Sequence, residues 1–124
     1  MLCVLALLAL AFFASGDDVE LNDNHKVIDV ANFAMDFHNG LSSYPYAFKV
    51  VDILSDAARL YPPSWVKYVL QVKAAQTVCE NHAAVNVTDC ALQSNAKVMN
   101  CSFTVLAVPG NNNIPKRLLS DHCA

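Results

Sequence analysis

Two adjacent prolines, Pro62-Pro63, divide the middle of the chain into two long alternating runs, and nothing else in the sequence limits the fold so tightly. Before them, Tyr46, Phe48, Val50 and Leu54 share one face against Ala47, Lys49, Val51 and Ile53, with Asp52 the one charge on the first face. After them, Val66, Tyr68, Leu70 and Val72 alternate with Lys67, Val69, Gln71 and Lys73. A period of two marks a strand with one buried face. Proline cannot donate to a ladder, so Leu60 to Trp65 must be a loop joining two antiparallel strands, the first about a dozen residues long and ending near Arg59.

Upstream the period changes. Val27, Val30, Ala31, Ala34, Phe37 and Leu41 recur at steps of three and four, which predicts a helix from about Asn24 to Asn39. Gly40 is placed to end it in the left-handed conformation. Downstream, AKVMNCSFTVLAV over residues 96–108 predicts a third long strand, stopped by the turn Pro109-Gly110-Asn111-Asn112-Asn113. Residues 114–123 can return as a short edge strand. One amphipathic helix cannot bury itself, and a sheet with one apolar face needs a cover. The expected fold is an α+β roll, one N-terminal helix packed across a four- to five-stranded antiparallel sheet.

The first thirteen residues, MLCVLALLALAFF, carry no charged side chain and precede Ala14-Ser15-Gly16. That is the pattern of a secretory signal peptide at 1–16, leaving 17–124 as one exported domain, with no later stretch long enough to anchor it in a membrane. The expected location is extracellular. Cys79, Cys90, Cys101 and Cys123 then remain, an even number in an oxidising compartment, and read as two disulfides with three possible connectivities. Sequential pairing, Cys79 with Cys90 and Cys101 with Cys123, closes loops that the predicted hairpins bring together anyway. Two glycosylation sequons, Asn86-Val87-Thr88 and Asn100-Cys101-Ser102, fit the same compartment, and Asn86 lies in a polar excursion.

Several function classes are disfavoured. Acidic and basic residues are interspersed and the net charge is −3, so no footprint for a phosphate backbone exists and no nucleic-acid partner is expected. No Cys-x2-Cys pair is present, and the histidines at 25, 38, 82 and 122 are dispersed, so neither metal nor cofactor is expected. No Gly-x-Ser-x-Gly elbow or nucleophile–histidine pair supports catalysis, and the chain reads as a non-enzyme. His25 and His38 are expected to be solvated or capping on the helix, and Tyr44, Tyr46 and Phe48 to be sheet core. Trp65, beside Pro-Pro in a short loop, is costly to leave in water and reads equally as a contact residue.

The order helix, strand, Pro-containing loop, strand ending in Thr77-Val78-Cys79, then Cys90, Cys101 and Cys123 resembles the cystatin superfamily. The matching segments are ANFAMDFHN, VKYVLQVKAAQTVC and CSFTVLAVPGNNN, and the cysteine spacing is nearest the cathelin, kininogen and fetuin branches. The resemblance implies a monomeric, secreted inhibitor of papain-like cysteine proteases, whose first loop and second turn plug the protease cleft without reacting with it. Those positions fall on Tyr61, Pro62, Pro63, Ser64 and Trp65, and on Pro109 and Gly110. Both depart from the inhibitory pattern. A Gln-Val-Val-Ala-Gly-type loop is replaced by YPPSW, and a Pro-Trp turn by Pro109-Gly110. The alternative that the resemblance implies is a non-inhibitory cathelin- or fetuin-like binding or host-defence module on the same fold.

Overall fold

The computed structural model describes residues 24–124; the expected signal peptide at 1–16 lies outside the described residues, as does the side chain of His25. Helix α1 spans Asn24–Leu41. Four strands follow, β1 (Tyr46–Tyr61), β2 (Trp65–Glu80), β3 (Val98–Ala107) and β4 (Arg117–Cys123), in one antiparallel sheet of order β1-β2-β3-β4. The helix lies across one face of this sheet, as the α+β roll requires.

The helix buries Val27, Val30, Ala31, Ala34 and Met35. Phe37 and Leu41, assigned to the apolar stripe from sequence, are instead 48% and 66% exposed, because the stripe turns with the helix and His38 takes the sheet-facing position. Gly40 does not end the helix. The backbone stays helical through Leu41, and Ser42 closes it by donating its N–H to the His38 and Asn39 carbonyls and its hydroxyl to the Asn39 carbonyl. Asn39 is 3% exposed, and its amide exchanges hydrogen bonds with both backbone groups of Phe48, at 2.8 and 3.1 Å. A side-chain amide thereby mimics one rung of a ladder and fixes where the helix ends relative to β1.

The inner face of β2 is the expected one: Val66, Tyr68, Leu70 and Val72 are buried, opposite Ala107, Val105, Phe103 and Cys101 of β3. Burying each such side chain is worth about 1.5–3 kcal/mol. The expected parity of β1 fails halfway along. Val51 and Leu54 are extra residues that pair with nothing on β2, so each bulge shifts the alternation by one. Ile53, opposite Val72, therefore packs on the core, and Leu54 points away. Strand β1 also runs on to Tyr61, sixteen residues rather than a dozen.

Two disulfides staple the later half, with the sequential connectivity. Cys79–Cys90 ties the end of β2 to the connection that follows it, Cα atoms 6.0 Å apart. Cys101–Cys123 joins direct partners on β3 and β4, Cα atoms 4.0 Å apart.

Candidate functional site

In an antiparallel meander, the β1–β2 and β3–β4 bends fall at one end of the sheet and the β2–β3 connection at the other. The YPPSW bend and the Pro109-Gly110 bend accordingly lie side by side. Tyr61 and Trp65 form the last pair of the first hairpin, and Pro62-Pro63-Ser64 make its three-residue turn, with a cis peptide between the prolines. All three turn residues are exposed. In the second bend the Asn111 N–H donates to the Val108 carbonyl at 3.2 Å. Pro109 precedes Gly110, whose φ is +80°, the pattern of a type II turn in which only glycine is unstrained at the third position. The start of the helix lies beside the second bend. Lys26, Asp29 and Val30 line a cavity of about 230 Å³ with Tyr68, Val108 and Pro109.

The tip so formed is apolar and wet. Leu60 is 64% exposed and Tyr61 50%, beside two exposed prolines. Trp65 is half-buried, because Arg117 of β4 holds its guanidinium 5.6 Å from the centre of the indole. Such a stack orders the ring at a cost in entropy that is met before any partner arrives. Sequence reasoning missed Arg117. Its only signal was a cation just past Pro115, and its meeting with Trp65 depends on strand register.

Each remaining site residue has a place. Asn86 is exposed on the β2–β3 connection; its amide donates to the Asp89 carboxylate, and its oxygen accepts from the Thr88 hydroxyl at 2.7 Å. Asn100 is exposed near the start of β3, on the face away from the helix. Both are far from the bends.

His38 is neither solvated nor capping. Its Nδ1 meets the Asp121 carboxylate at 2.5 Å and its Nε2 meets the Tyr44 hydroxyl at 2.9 Å, in a bridge between helix, loop and β4. Tyr44 is partly buried against the core and Phe48 fully buried, whereas Tyr46 is 39% exposed and is not core. Burial, reinforced by the Asp121 charge, raises the Tyr44 pKa, and burial raises that of Asp36. Both shifts favour the neutral acid, and neither group lies at the bends.

Comparisons with known proteins fit this geometry. A family model described as the cystatin domain matches residues 17–110. A cystatin from Gallus gallus is 30% identical over 112 residues, covering 87% of this chain and 77% of its own. The crystal structure of dimeric human cystatin F superposes with a TM-score of 0.74 at 21% identity, covering 86% of this chain and 83% of that one. Mialostatin, a gut cystatin from the hard tick Ixodes ricinus, superposes with a TM-score of 0.68 at 25% identity, covering 88% and 97%.

Proposed function

The chain belongs to the cystatin family, and from that premise we propose that it is an exported inhibitor of papain-like cysteine proteases, acting by non-covalent occlusion of the active-site cleft. The observation that carries this reading is the adjacency of the two bends at one end of the sheet, with exposed Tyr61 and prolines at the tip and Trp65 held in place by Arg117. Tight hairpins on a stapled sheet lose little entropy on docking, and apolar tips desolvate a cleft well. Tyr61, Pro62, Pro63, Ser64 and Trp65 would fill one side of the cleft, Pro109 and Gly110 the other. No group here needs to react, and the proposed role is not enzymatic.

The contacts differ from the usual inhibitory set. YPPSW is bulkier than a Gly-containing loop, and Gly110 offers no side chain where an aromatic is usual, so the first hairpin carries most of the plug. Glycans at Asn86, and at Asn100 if it is used, would project from the opposite end and leave the tip free. The protein would act as a monomer outside the cell, after removal of residues 1–16.

Titration of the secreted protein against papain and cathepsin-type enzymes tests the reading. Inhibition at submicromolar concentration, weakened about tenfold or more by Trp65→Ala, is the expected result for a central aromatic anchor. No inhibition at tens of micromolar would overturn it and favour a cathelin- or fetuin-like binding module, which the altered loops would suit.

A further inference from the structure

The face of the sheet away from the helix carries a row of cations beside the bends. Arg59 is the direct cross-strand partner of Lys67, Lys67 of Leu106, and Leu106 of Arg117, so all four side chains share that face. Paired residues of neighbouring strands stand about 5 Å apart, which puts three positive charges within roughly 15 Å. Tyr61 and Trp65, also direct partners, form the adjoining rung on the same face. Among the described residues none of the three cations has a carboxylate within 4 Å; the one ion pair joins His38 to Asp121.

The Arg59–Lys67 opposition does not serve the fold. Like charges directly opposite one another destabilise a sheet. Nor does it reflect a basic protein, since the net charge is −3. Leu106, on the outer face, is only 9% exposed between the Lys67 and Arg117 positions, so the row is a continuous surface of aliphatic stems with charged ends.

We propose that Arg59, Lys67 and Arg117, with Tyr61 and Trp65, bind an acidic polypeptide segment, a stretch of carboxylates interleaved with apolar side chains on a protein partner. The aromatic rung beside the cationic one fits such a segment, because a ligand of charge alone would leave Tyr61 and Trp65 unused. Contiguity with the tip makes the partner the protein that the bends engage. The row would then select enzymes whose cleft is flanked by carboxylates and would steer their approach. That identification rests on the cleft-plugging reading, whereas the existence of the row does not.

Trp65 is the only tryptophan in the chain and reports on the site directly. The secreted protein is titrated with a synthetic peptide of alternating Glu and Leu, followed by indole fluorescence, with a heparin hexasaccharide as the second arm. The peptide is expected to perturb the fluorescence with an affinity that falls about tenfold between about 20 mM and about 300 mM salt. A variant with Arg59→Gln and Lys67→Gln keeps Arg117 on the indole, and its circular dichroism reports its folding. It should bind the peptide about tenfold more weakly. Equal binding by the folded variant, or a response to the hexasaccharide but not to the peptide, overturns the proposal. Peptide binding without protease inhibition sustains the row and refutes only the plug; inhibition without a peptide response refutes only the row.

Discussion

His38 on the helix and Asp121 on the last strand meet at 2.5 Å across 83 residues of sequence. The contact does for the edge strand what the disulfide does two residues further along it. Cys101–Cys123 holds the end of β4 to its neighbour, and the imidazole holds it to the layer above. The other ring nitrogen reaches Tyr44, whose hydroxyl also lies 3.8 Å from the Met99 sulfur, so the bridge is continuous from β4 to the loop before β1.

A double-mutant cycle measures this bridge. Asp121→Ala and His38→Ala should each lower stability, and together lower it by less than the sum, with a coupling of about 1–3 kcal/mol for a charged hydrogen bond in partly buried surroundings. Urea unfolding followed by circular dichroism is sufficient. Additive single effects would show that the contact carries no free energy of its own.

Tyr44 gives a prediction at the alkaline end. Its pKa is raised above the ordinary value of 10.0, first by burial and then by the Asp121 charge. The folded state therefore holds the phenolic proton more tightly than the unfolded chain. The stabilisation is fully present below pH 10.0 and is lost as pH rises through the folded-state value. The wild type should lose stability above that pH more steeply than Tyr44→Phe, which has no proton to release. Matching pH profiles of melting temperature for the two proteins would refute the linkage.

These two contacts also mark what the sequence made legible and what it did not. Local period announced the helix, β1 and β2, because burial of one face leaves a repeating trace in residue type. Strand β3 was legible in its β-branched and aromatic content, and β4 only as a short return that residues 114–123 allow. The Pro62-Pro63 and Pro109-Gly110 bends were legible for the same local reason. The bulges at Val51 and Leu54 were not, since a residue that drops out of a ladder looks like its neighbours in the chain. His38–Asp121, Trp65–Arg117 and the Arg59–Lys67 opposition are long-range or register-dependent. Each needs β1 or β4 aligned to within one residue, which no periodicity supplies.

The two disulfides should separate stability from function. Cys79–Cys90 closes an eleven-residue loop at the end away from the bends. Replacing both cysteines by alanine is expected to cost about 2–3 kcal/mol, chiefly by freeing the unfolded chain. Protease inhibition, measured below the new melting temperature, should stay within a factor of about two of wild type if the tip alone makes contact. A large loss of inhibition in a folded double variant would place part of the contact surface on the β2–β3 connection.

Gly110→Trp asks whether the second bend faces a partner at all. At φ +80° a residue with a Cβ pays about 1–2 kcal/mol in strain. Nothing lies within 4 Å of where that Cβ would stand, so the penalty is conformational and not a clash. Melting should fall by roughly 5–10 °C in both Gly110→Trp and the control Gly110→Ala. Only the tryptophan adds an apolar anchor to the tip, and a buried anchor of that kind is worth about 2 kcal/mol or more at an interface. Against papain, Gly110→Trp should therefore inhibit at least about thirtyfold more strongly than Gly110→Ala, despite equal destabilisation. If the two variants inhibit equally, the Pro109-Gly110 bend lies outside the contact, and the first hairpin acts alone.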